Sequence, residues 1–128
     1  MKPITQEWVD KAEEDWESAR TLARKRKNPA YNAVCFHAQQ SAEKYLKARL
    51  EEANIQIVKT HDLEALLNLA LPVEPSWNVM LADLKFLSDF AVDYRYPGAA
   101  ATKTDAQEAI KGCRRVRKII RTAFGLPV

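Results

Sequence analysis

His37, Gln40, Lys44 and Lys47 recur at steps of three, four and three along FHAQQSAEKYLKA, residues 36–48. On a helix that spacing stacks four polar side chains into one stripe that can meet a common partner. Two ammonium groups and an imidazole facing one phosphate would make an anion site, and Gln40 could read a base or ribose edge. A wet outer face explains the same pattern. Phe36 and Leu50 fall on the side of Gln39 and Glu43, so part of this polar surface is expected to be covered by another helix or another subunit.

Two further groups could join such a site. His61 sits beside Lys59 in KTHDLE, where it is either a ligand contact or a local cap at a helix start. Arg95 stands between Tyr94 and Tyr96 in DYRYPG. A planar guanidinium beside aromatic rings suits a phosphate or a base; a salt bridge to Asp89 or Asp93 is the plainer reading.

The elements that must position these residues are helical. Thr5 can cap a first helix to about Lys25, with Trp8, Val9, Ala12, Trp16, Ala19 and Ala23 on one side. Asn28-Pro29 reads as a cap followed by proline at the first helical position, opening a second helix to about Ala53. Its core face is Tyr31, Val34, Cys35, Ala38, Ala42, Tyr45 and Leu46. Thr60, Asp62 and Glu64 start a short third helix that Pro72 and Pro75 stop. Ser76 caps a fourth, and Tyr96-Pro97-Gly98 breaks it. Thr104-Asp105-Ala106-Gln107 reads as a capping box for a fifth helix to about Phe124. The run Ile55 to Val58 is β-prone but too short to build a sheet. The expectation is an all-α, five-helix, up-and-down bundle in a single domain spanning residues 1–128.

On the fifth helix Ala109, Cys113, Val116, Ile119, Ile120, Ala123 and Phe124 share an apolar side. Lys111, Arg114, Arg115, Lys118 and Arg121 spread over the other, with Arg117 near the border. This is either a solvated basic face or a weak RNA contact, and no aromatic residues interleave to stack bases.

The 128 residues are 47% hydrophobic and 29% charged, which fits a folded chain with one modest core. A net charge of +3 permits phosphate-bearing partners without requiring them. No apolar run approaches the roughly 20 residues of a membrane helix, and MKPITQEW lacks the apolar stretch of a signal peptide, so a cytoplasmic protein is expected. Cys35 and Cys113 form neither a metal spacing nor a disulfide framework and read as core thiols. There is no glycine-rich phosphate loop, HExxH or GxSxG.

YNAVCFHAQQSAEKYLKARL, then KTHDLEALL, then DYRYPG and a capped amphipathic last helix, resemble the HEPN domain over roughly Ile4 to Phe124. The resemblance implies a helical bundle that forms homodimers, often encoded beside a minimal nucleotidyltransferase and sometimes paired with it as toxin and antitoxin. Family ribonucleases carry an arginine, four to six residues, then a histidine. Residues 30–32 are Ala-Tyr-Asn and residues 54–56 are Asn-Ile-Gln, so neither His37 nor His61 completes that motif; starting from Arg95, the histidine would fall at Ala100, Ala101 or Thr102. The chain therefore resembles the non-nuclease branch, with no catalysis of its own. The implied ligand is ATP or another nucleotide, held by His37, Gln40, Lys44, Lys47, Lys59, His61, Arg95 and Tyr96. Two alternatives stay open: an adaptor that only pairs with the nucleotidyltransferase, and an RNA-binding protein or ribonuclease using an unrecognised site.

Overall fold

The computed structural model describes residues 1–91 and 97–128. Its helices are α1 (Pro3–Ala23), α2 (Tyr31–Glu52), α3 (Leu63–Ala70), α4 (Leu81–Ser88) and α5 (Lys103–Ala123), with a 3-10 helix, Pro75–Met80, leading into α4. Among the described residues there is no strand. The five expected helices are present and form an all-α bundle.

Helix ends differ from expectation wherever a long-range partner displaces a local one. Pro3 sits at the first turn of α1 and Lys2 takes the cap position. Thr5 is not a cap: it is buried, and its hydroxyl donates to Glu52 Oε1 at 2.9 Å. The Lys2 amide donates to the same oxygen at 3.0 Å, and the Lys2 ammonium to the Glu51 carbonyl at 3.0 Å. Orphan groups at the start of α1 and the end of α2 thus satisfy one another. Asn28 has φ +49°, a left-handed conformation that an N-cap residue does not adopt, so α2 starts at Tyr31. Ser76 likewise caps nothing; Pro75 opens the 3-10 turn instead.

The capping box of α5 lies two residues before its expected place. Thr102 accepts from the Asp105 amide at 3.0 Å, and the Asp105 carboxylate accepts from the Thr102 amide at 2.9 Å. A carboxylate at that position also complements the helix dipole, which Gln107 would not do. The third helix starts where Thr60, Asp62 and Glu64 mark it, with Asp62 rather than His61 as the cap, accepting from the Glu64 and Ala65 amides. At the far end of α2, Asn54 is left-handed at φ +59°, and the Ile55 amide donates to the Leu50 carbonyl at 2.9 Å, a Schellman closure.

Hydrogen bonds across the molecule fix the helix directions. Thr5 meets Glu52 while Asp15 meets Lys44 and His37, so α1 and α2 are antiparallel. Gln39 reaches the His61 carbonyl and Arg49 reaches Glu74, so α3 runs parallel to α2. The stroke between them is made without a helix: residues 54–62, including the β-prone Ile55 to Val58, return along α2. Ala101 bonded to Asn32, and Arg121 bonded to Tyr45, set α5 parallel to α2 as well.

Alanines let the three long helices pack closely. Ala12 and Ala19 of α1, Ala38 and Ala42 of α2, and Ala106 and Ala109 of α5 are all buried, interlocked with Val9, Trp16, Val34, Val116 and Ile120. Both cysteines are buried and free, and burial pushes each thiol up to about 12, which leaves them inert as nucleophiles. Helix α2 is buried on more than one side, Leu50, Ala48 and Ser41 adding to its expected core face. Tyr31 is only half-buried.

One polar node ties these helices together. Glu13 of α1 accepts both arms of the Arg117 fork, at 2.9 and 2.6 Å, and the hydroxyl of the fully buried Tyr45. Arg121 donates to the Tyr45 oxygen at 3.1 Å. Burial raises the Glu13 carboxyl, but the Arg117 bonds, the Tyr45 hydroxyl and the Arg121 charge outweigh it and hold it below its ordinary value of 4.5. A carboxyl lowered in the folded state stabilises above its unfolded value and loses that contribution as pH falls through the folded one. Glu13→Gln should therefore cost about 2 kcal/mol at neutral pH. It should also flatten the decline in stability below pH 4.5, as read by urea unfolding at several pH values.

Candidate functional site

The polar stripe of α2 is brought together, but its charges are already shared. Asp15 of α1, with 12% of its side chain exposed, accepts from Lys44 Nζ and faces His37 Nδ1 at 2.8 Å. Glu43, with 5% exposed, accepts from Lys47 Nζ at 3.0 Å and faces His61 Nδ1 at 2.8 Å. The chain thus presents two matched sets, His37–Asp15–Lys44 and His61–Glu43–Lys47. In each, a nearly buried carboxylate is satisfied by one imidazole and one ammonium group.

Gln39 and Gln40 extend the second set. Gln40 Nε2 donates to Gln39 Oε1 at 2.7 Å, and Gln39 Nε2 donates to Glu43 Oε1 at 3.1 Å and to the His61 carbonyl at 3.4 Å. Gln39 is fully buried. The polar surface beside Phe36 and Leu50 is indeed covered, and the cover is this chain's own segment around His61. Lys47 also lies 5.7 Å from the Trp8 ring, which occupies it further.

This bonding sets what the imidazoles can offer. A carboxylate only accepts, so each Nδ1 carries the hydrogen that faces it and each Nε2 is the ring atom left for a ligand. His61 is 62% exposed and can meet a ligand directly, whereas His37 is 31% exposed. Lys59 is exposed, and among the described residues no carboxylate pairs with it. Arg95 and Tyr96, with Tyr94, lie outside the described residues.

The basic face of α5 is more engaged than a solvated face would be. Arg115 forks onto Asp83 of α4 at 2.9 and 2.7 Å, Arg117 and Arg121 belong to the Glu13 node, and Arg114 lies 5.5 Å from the Trp16 ring. Lys111 pairs with Glu108 at 3.5 Å. Gly112 makes room for Asp83: a Cβ there would stand 3.3 Å from Asp83 Oδ1.

Among the described residues, no three His, Cys, Asp or Glu side chains gather to hold a metal. No helix among them is long and apolar enough to cross a membrane.

The HEPN domain model matches residues 5–123. The chain belongs to the HEPN domain family. Its structure resembles that of ST0689, an archaeal HEPN homologue, with a TM-score of 0.74 at 28% identity, covering 96% of this chain and 98% of that one. It also resembles TT1696 from Thermus thermophilus, with a TM-score of 0.71 at 21% identity, covering 92% and 96%, a likeness of fold. No curated protein matches the chain.

Within this HEPN chain, sequence reasoning missed Asp15 and Glu43, the residues that organise the stripe. Glu43 had a local signal, since Gln39, Glu43 and Lys47 follow one another at steps of four. Asp15 had none, because its partners come from another helix. Glu43→Ala should leave Lys47 and His61 without their shared acceptor and cost about 3 kcal/mol. Thermal unfolding would measure it, with Lys59→Ala as an exposed comparison expected to change stability by less than about 0.5 kcal/mol.

Proposed function

We propose that this HEPN protein is a binding module without catalysis of its own. It binds a nucleotide on the wet side of α2, and it works as a homodimer beside a minimal nucleotidyltransferase that supplies the chemistry, in the manner of a toxin–antitoxin pair. One observation carries the reading: the paired sets fix the donors and acceptors of α2 in place before any ligand arrives. Preorganised groups recognise a polar ligand at a smaller entropic cost than free side chains do.

The roles divide by charge. Lys44 and Lys47 are shared with carboxylates, so they hold a ligand by hydrogen bonds more than by excess charge. Gln40 and the Nε2 atoms of His61 and His37 read base or ribose edges. Lys59 and Arg95 bring positive charge to the phosphates, and Tyr96 stacks on the base.

Calorimetric titration with ATP, GTP and AMP tests this. Micromolar binding, about −8 kcal/mol, should weaken about tenfold in Gln40→Ala combined with Lys44→Ala. Silence with all three ligands would defeat nucleotide binding and leave an adaptor, whose partner a pull-down with the nucleotidyltransferase would reveal.

A second reading rests on His61, whose Glu43 contact and exposed side chain are the arrangement a general base needs. RNA held by the basic α5 face would then be cleaved. A labelled-RNA assay should give product with the natural chain and none with His61→Gln; no product with the natural chain removes this reading.

A further inference from the structure

Positive charge gathers elsewhere, in a cleft of about 680 Å³ where the connection after α1 meets α2 and the first half of α5. Arg24, Lys25, Arg26, Lys103, Lys111 and Arg114 line it, and no described carboxylate does. The whole chain has 17 acidic residues against 20 basic ones, so six cations around one concavity with no acid among them is a marked segregation. All six are exposed. Lys111 reaches back to Glu108 and Arg114 to Trp16, while Arg24, Lys25, Arg26 and Lys103 have no carboxylate partner among the described residues.

Shape and chemistry narrow the ligand. Lys103, Gln107, Lys111 and Arg114 follow at steps of four, four and three, one stripe of α5 about 16 Å long. The arginines and lysine at residues 24–26 face it from the opposite wall. A row of donors on two walls suits several phosphates in series better than a single anion. Half-buried Tyr31 and Ile110 add an apolar patch on which a ring can lie. The positive end of the α5 dipole adds to the same field.

We infer that this cleft is an oligophosphate-binding site, taking a linear chain of phosphates such as inorganic tripolyphosphate or the triphosphate of a nucleotide. It is separate from the α2 network and does not depend on it. Like charges crowded around a cleft repel one another, so an anion seated there relieves the folded state and stabilises it.

Titration of the full chain with inorganic tripolyphosphate, by calorimetry and by thermal shift, tests the inference. Micromolar binding and a raised Tm are expected, both weakening with salt. Arg24→Glu combined with Arg26→Glu should weaken binding at least about tenfold. Lys118→Glu, an exposed reversal outside the cleft, should change it less than about twofold. Gln40→Ala with Lys44→Ala should leave tripolyphosphate binding intact, so failure here and failure of the α2 reading are told apart. ATP binding tighter than tripolyphosphate, with the difference lost in Tyr31→Ala, places a base on the patch; equal affinity makes the phosphates alone the ligand. Either result upholds the site. No heat and no Tm shift at millimolar tripolyphosphate would overturn it, as would unchanged affinity in the double reversal. Binding of a single-stranded oligonucleotide without tripolyphosphate binding would overturn it too, and would make the cleft a nucleic-acid groove.

Discussion

Glu13 is where the three long helices are made to agree. Its carboxylate belongs to α1, the hydroxyl it accepts comes from the centre of α2, and the guanidinium it binds comes from α5. Each partner would be destabilising if left alone at that depth: a phenol with no exposure, an arginine with 15% of its side chain exposed. The alanine-lined faces around it set distance but say little about register, because small residues slide past one another with little penalty. A bidentate fork does not slide. The node therefore specifies which turn of α5 lies against which turn of α1, and the rest of the core closes around that choice.

The same logic repeats at Asp15 and Glu43, and it explains why α2 looks as it does. A helix buried on several sides cannot keep its polar residues in water, so its charged and amide groups are matched inside the chain. Among the described residues the Ser41 hydroxyl is the one buried side-chain oxygen or nitrogen without a hydrogen-bond partner. Asp15 comes from α1, while Glu43 comes from α2 itself and is answered by the return segment. Satisfying these groups also neutralises them. Positive charge that no described carboxylate answers lies instead at Lys103 of α5 and along Arg24, Lys25 and Arg26 after α1.

How much of this was legible in the sequence depended on whether the cause was local. The apolar spacing of Val9, Ala12, Trp16 and Ala19, or of Cys113, Val116 and Ile120, names the core directly, and all of these are buried. The third helix starts where its sequence marks it because Asp62 caps partners only two and three residues away. Thr5 does not, because its partner is 47 residues away on another helix. Phe36 and Leu50 reveal that the side of Gln39 and Glu43 is covered, but nothing near them shows that residues 54–62 are the segment that folds back over it. Arg24, Lys25 and Arg26 follow one another at the end of the first helix, and only the placement of α5 opposite them makes that run one wall of a cleft.

The parallel placement of α2 and α5 carries a consequence for the order in which the molecule is made. The α1–α2 hairpin needs only a short connection and can assemble as soon as both helices have been synthesised. Its alanine-lined inner face, the Tyr45 hydroxyl and the Glu13 carboxylate then wait for a helix whose Arg117 lies 104 positions beyond Glu13. Only α5 can answer that face from within the chain, and it is the bolt that is thrown last.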